Sequence, residues 1–97
     1  MNDIEFLYIG WVKEGEHHDK VWTAFRVGQD YYAGWGRRGK TIRFKKHPDQ
    51  WSLDKVQRQK ERTYKEVDEF QLFAIFPYFK EEVGKYLSFA ILADHVM

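Results

Sequence analysis

The sequence predicts an α+β fold: a small antiparallel four-stranded sheet (a meander), a helix packed on one face, and an added C-terminal helix. Three observations carry this. The first half holds runs rich in β-branched and aromatic residues, alternating with period two in Lys20–Val27 and joined by short connections that carry glycine. Pro48 closes that half, and beyond it apolar residues recur at three- and four-residue steps. At 97 residues the chain makes one domain, 1–97, and at this size about 60–65% of the unfolded surface can be buried.

The elements follow in order. Ile4–Val12 is rich in β-branched and aromatic residues and reads as the first strand. The polar segment Lys13–Asp19, with Gly15, is a turn or short loop. Lys20–Val27 is the second strand: Val21, Thr23, Phe25 and Val27 face one side, and Lys20, Trp22, Ala24 and Arg26 the other. Gly28–Asp30 is a tight hairpin signal. Asp30–Trp35 is the third strand, Gly36–Gly39 a turn, and Lys40–Lys46 the fourth strand. Short connections make neighbouring strands antiparallel. A helix is expected from about 52 to 67, with Ser52 as its N-cap. Its apolar face is Leu53, Val56, Lys60, Tyr64 and Val67, with the Lys60 stem packed and its ammonium outside. Phe70–Tyr78 is open between strand and helix. Pro77 separates it from a last helix, Phe79–His95, with Phe79, Val83, Tyr86, Leu87, Ala90 and Ile91 on one face.

Composition narrows the class of function. There is no cysteine, so neither a disulfide nor a thiolate metal site is available. The opening Met-Asn-Asp-Ile-Glu lacks the apolar core of a signal peptide. The apolar run Leu72–Val96 is interrupted by Pro77, Lys80, Glu81, Glu82 and Lys85, which argues against a membrane span. An intracellular protein is expected, cytoplasmic or nucleoid/nuclear. No Gly-x-x-x-x-Gly-Lys loop, defensible Ser-His-Asp set or carboxylate pair placed as acid and base is present, so neither an enzyme nor a cofactor is expected. His17-His18-Asp19 is a fragment of a metal-site pattern, but adjacent histidines in a charged loop are commonly just solvated, and no metal is expected.

Charge is where the sequence speaks. The net charge is +1, yet residues 37–65 hold eleven bases against three acids. Residues 1–36 are net −3 and residues 66–97 net −4. If that middle third stays together it forms a basic face, which is a statement about partners. It opens on the run Tyr31-Tyr-Ala-Gly-Trp-Gly-Arg-Arg-Gly-Lys40. Strand phase puts Tyr31, Ala33, Trp35 and Arg37 on one face. The glycines beside Trp35 would let a backbone or ligand approach its ring. An indole flanked by fixed cations can stack on a base or sugar while the cations hold phosphate. Arg38 and Lys40 add to the patch at the turn, Arg43 and Lys45 on the fourth strand. Arg58 and Arg62 belong to a helical cationic stripe with Lys55 and Lys65. From the residues alone the other reading stands beside this one: a strand Trp packs in a core or at an edge, and a basic helix stripe is a wet face.

Residues from about 4 to 68 resemble the WGR domain, named for its Trp-Gly-Arg motif and found in poly(ADP-ribose) polymerases and in bacterial proteins. The resemblance rests on Val21-Trp-Thr-Ala-Phe-Arg-Val27, on Tyr31-Tyr-Ala-Gly-Trp-Gly-Arg37 with Gly39 after it, on a further strand and helix, and on Lys60 followed by Tyr64. It implies a small antiparallel sheet with one helix and binding of DNA at strand breaks. It also implies Trp35 as the stacking residue, Arg37 as a phosphate or interdomain contact, and Lys60 and Tyr64 as supports. Arg38 and Lys40-Thr41-Ile42 make this turn shorter and more basic than the family's usual one. Residues 69–97 lie outside the resemblance as a helical extension, and no polymerase activity carries over. The partner expected is nucleic acid, DNA rather than RNA. The alternative is a protein-interaction module, using the WGR surface or the C-terminal helix for docking or homodimerisation, although the apolar tail can equally complete the core.

Overall fold

The structure, a computed structural model, describes residues 3–13, 15 and 19–96, the last six as backbone only. Strands β1 (Ile4–Lys13), β2 (Asp19–Val27), β3 (Asp30–Arg37) and β4 (Arg43–His47) form the expected antiparallel meander. Helix α1 (Gln50–Glu61) follows, then a two-residue strand β5 (Lys65–Glu66) and helices α2 (Glu69–Ile75) and α3 (Phe79–Val96). The sheet order is β4-β3-β2-β1-β5.

α1 leaves the β4 edge and delivers the chain to β5 at the opposite edge. Twelve helical residues reach about 18 Å, close to the about 19 Å of four inter-strand spacings, and with the residues that flank α1 the chain crosses the sheet. Its passage divides the molecule into three layers. On the α1 face, Leu53 is fully buried among Tyr8, Trp22, Ala24 and Ala33, with Val56, Trp35 and Tyr64 packed around them. On the other face, Leu72 and Ile75 of α2, Phe76 at its C-terminal cap, and Phe79 and Val83 of α3 bury against Ile9, Val21, Phe25 and Tyr32. The phase expected for β2 holds: Val21, Thr23, Phe25 and Val27 are buried on the α2–α3 side, while Trp22 and Ala24 are buried under α1.

A β-bulge shifts the phase of β1. Phe6 pairs with Phe25 but Tyr8 with Ala24, so Leu7 is the extra residue. Leu7 and Tyr8 therefore both serve the α1 face, and Ile9 and Trp11 return to the face that Ile4 and Phe6 occupy. Gly10, two residues on from Tyr8, falls beneath Tyr64: a Cβ there would lie 2.7 Å from the Tyr64 Cβ.

Several boundaries differ from expectation, each for a local reason. The first helix begins at Gln50, because the Asp49 carboxylate accepts from the Ser52 N–H at 2.8 Å and caps it. The Ser52 hydroxyl instead bonds His47 Nδ1 at 3.0 Å. The helix ends at Glu61 and not near 67. Tyr64 turns back into the hollow above Gly10, Lys65 and Glu66 pair with Trp11 and Gly10, and the Val67 N–H donates to the Ile9 carbonyl. Val67 thus packs on the α2–α3 side, off the α1 stripe. The ambiguous segment after it resolves as helix: Asp68 caps α2 by accepting from the Gln71 N–H at 3.0 Å, and Pro77 follows its end. The fourth strand begins at Arg43, since Lys40–Ile42 belong to the turn region.

Candidate nucleic-acid interface

β3 carries the motif through Arg37, so Trp35 and Arg37 point to the α1 face as the strand phase requires. Register supplies their neighbours. Trp35 pairs with Trp22 on β2 and with Arg43 on β4, and Arg37 pairs with Lys20. Trp35 is half-buried: part of its ring rests on the cluster of Trp22, Tyr8 and Leu53, and the rest borders an open cavity of about 490 Å³. Lys20, Arg37, Lys40 and Arg43 surround that cavity, and Tyr64 forms its far wall. No carboxylate among the described residues lines it.

Of the expected site residues, the cavity unites Trp35, Arg37, Lys40, Arg43 and Tyr64. Lys60 stands behind Tyr64, its Nζ 5.9 Å from the ring centroid. Lys45 shares the face of Arg43 one pleat away, opposite Ala33, and is outside the lining. Arg58 on α1 and Arg62 just past its end are exposed, also outside it. Lys65, grouped with them as a helical stripe, is instead on β5 at the far edge of the sheet.

Arg38 has a different occupation. Its guanidinium donates to the nearly buried Asp19 carboxylate at 3.0 Å, and its N–H donates to the Asp19 carbonyl at 2.8 Å. The Trp11 indole N–H donates to the same carboxylate oxygen at 3.0 Å. These two donors, the Arg38 guanidinium first, hold the Asp19 carboxyl below the usual carboxylate range against the opposing effect of burial. The cluster ties the β3–β4 turn to the start of β2. The turn itself closes with the Lys40 N–H on the Arg37 carbonyl at 2.9 Å and with Gly39 at φ +78°.

The glycines around Trp35 do not open room for a ligand. Their hydrogens face the other side of the sheet, where a Cβ at Gly34 would meet the Phe44 ring at 2.9 Å and one at Gly36 the Thr41 carbonyl oxygen at 3.3 Å. They admit the chain's own Phe44 ring and turn backbone beneath β3.

Lys20, Thr41 and Gly10 are contributors that sequence reasoning passed over. Lys20 was legible: a hairpin pairing Val27 with Asp30 places Lys20 opposite Arg37 by counting. Gly10 was not, because its role depends on Tyr64 returning over it from 54 residues away.

No protein-family model matches the chain, and neither a curated protein nor a solved structure matches it. No described helix is long and apolar enough to cross a membrane. No group of three metal-ligating side chains converges among the described residues. His17 and His18 lie outside the described residues, and Asp19 is engaged with Arg38 and Trp11.

Proposed function

We propose that the protein is a WGR-like module that binds nucleic acid, DNA foremost, and that it works by binding without catalysis. The observation that carries the reading is a half-buried indole forming the wall of a cavity with four cationic side chains around it and no described carboxylate. An anion with an attached ring fits this chemistry: phosphate meets the cations, and the sugar or base lies on Trp35. A ring inside an intact duplex is already stacked and offers no free face. The cavity therefore favours a strand end, a nick or a single strand. Lys45, Arg58 and Lys60 on α1, and Arg62 at its C-terminal cap extend the positive field around the cavity.

The test is a binding panel of single-stranded, duplex, nicked and 5′-phosphorylated DNA, each at two salt concentrations. End-bearing or single-stranded DNA should bind best, with affinity falling as salt rises. Trp35→Ala should weaken binding by roughly 5- to 150-fold, the range of one lost base stack. If none of the four binds in a salt-sensitive way at protein concentrations up to about 100 µM, where even non-specific binding is normally visible, the reading is wrong.

A second reading, a protein-docking module, draws on Phe70 and Phe89, which are 83% and 76% exposed on the acidic α2–α3 side. It predicts self-association or partner capture that Phe70→Ser or Phe89→Ser removes, measured by light scattering on an unchanged fold. Truncation of 79–97 would not test it, because Phe79 and Val83 are fully buried core residues.

A further inference from the structure

The β3–β4 turn has a cavity on each side. The first is that of Trp35. The second, of about 420 Å³, lies between the turn and the α2–α3 junction. Lys40 and Thr41 line both, so the segment carrying them is the partition between the two spaces. Phase explains the division: Arg43 goes to the α1 face with Trp35, while Ile42 is buried with the α2–α3 core.

The chemistry of the second cavity differs from that of the first. Ile42, Ile75 and Phe76 are buried residues that supply a fixed apolar floor. Pro77 and Tyr78 form a rim, and Tyr78 is 64% exposed, so most of its ring is available. Lys40 is the one cation among the lining residues, and Glu82 is the one carboxylate, already beside Lys85 Nζ at 3.5 Å. This is a poor place for phosphate and a good one for a flat ring. The partition is fixed beforehand by the pairing of Arg38 with Asp19 and by the Lys40–Arg37 backbone bond, so little ordering is needed when a ligand straddles it.

We infer that the second cavity receives the base or sugar next to the one held on Trp35. The module then grips two successive nucleotides of an unpaired strand, with the connecting phosphate at Lys40 and Thr41 on the partition and the second ring on Tyr78 and Pro77. The inference rests on the nucleic-acid reading and adds to it a subsite built from the C-terminal extension. Tyr78 is a binding residue in it, and Arg38 and Asp19 are positioning residues.

The experiment uses the full chain with 5′-phosphorylated thymidine mono-, di- and trinucleotides. Affinity should step up by about tenfold from mono- to dinucleotide, the gain of one added stack. Tyr78→Ala should erase that step and leave mononucleotide affinity and thermal stability as in the wild type, since the ring is exposed. Tyr78→Phe should keep the step. The inference is overturned if the wild type shows no step, or if Tyr78→Ala retains it. Trp35→Ala separates the two levels. If it weakens every length while Tyr78→Ala changes none, the nucleic-acid reading survives and the second subsite does not. If the wild type binds no length, both fall together.

Discussion

Asp19 shows how one side chain can govern a site it does not line. Its carboxylate accepts from Arg38 and Trp11 and so pins the turn that carries Lys40. Because its native pKa is lowered, the unfolded state binds the extra proton between the ordinary carboxylate value of about 3.9 and the native value. The stabilisation is therefore complete above about pH 4 and is lost as pH falls through the native value. Asp19→Asn should flatten the acid limb of a Tm-against-pH curve and weaken DNA binding at neutral pH; an unchanged acid limb would contradict the assignment. His47 works in the same direction in a higher window. Burial, then the neighbouring Lys45 charge, push its pKa down. Stability should decline as pH drops below the ordinary histidine value of about 6.5, and His47→Gln should remove that slope. Gly10 is the remaining residue-scale control. Gly10→Ala forces a Cβ against Tyr64, an overpacking expected to cost about 1–3 kcal/mol and to displace the far wall of the cavity. Chemical denaturation measures the first effect and loss of oligonucleotide affinity the second.

Each helix has a distinct duty, which fixes what its disruption should do. α1 crosses the sheet and frames the cavity through the Tyr64 return. Removing its cap with Asp49→Ala should cost about 1 kcal/mol, seen as a lower denaturation midpoint with binding retained. α3 instead supplies core. Phe79→Ala should cost about 3–5 kcal/mol, a large part of the about 5–15 kcal/mol typical of a small domain. A variant that folds with unchanged stability would contradict the packing described here. The strands were legible because period-two alternation is local, and both β2 and β3 keep the phase read from their residues. The bulge at Leu7, the end of α1 and the existence of β5 were not. All three depend on what lies opposite: Ala24 for the bulge, Gly10 for Tyr64, and the free β1 edge for Lys65 and Glu66.

At the scale of the molecule, layering turns a linear charge pattern into two sides. With its caps, the α1 layer carries Lys55, Arg58, Lys60 and Arg62 against Asp49, Asp54 and Glu61. The described α2–α3 residues carry Glu69, Glu81 and Glu82 against Lys80 and Lys85. On the nucleic-acid reading, a polyanion would therefore approach from the α1 side before its next ring crosses the β3–β4 turn. Each lining cation that meets a phosphate of an unpaired strand should contribute about −0.7 to the slope of log affinity against log salt. Arg43→Gln should flatten that slope by about one such unit. Lys46→Gln should leave it unchanged, because Lys46 pairs with Asp30 at 3.6 Å and lies in register with Tyr32, on the face opposite Trp35. Equal effects of the two variants would mean that the field, and not the cavity, does the binding.

The sequence by itself determined the α+β class, the order of the four meander strands, the phase of β2, β3 and β4, the face shared by Trp35 and Arg37, and the concentration of positive charge in residues 37–65. These follow from local periodicity and from counting. Only the tertiary structure decided which of those cations stand together. Arg38 turned to Asp19, Lys45, Arg58 and Arg62 fell outside the cavity, and Lys20 entered it from another strand. Only the tertiary structure, too, set the C-terminal extension beside the β3–β4 turn, where Tyr78 borders a second cavity. The physical reason is the same in both cases. Side-chain direction along a strand is fixed by the backbone's own period, whereas proximity between strands and helices is fixed by register, by crossover and by which face each apolar surface must cover.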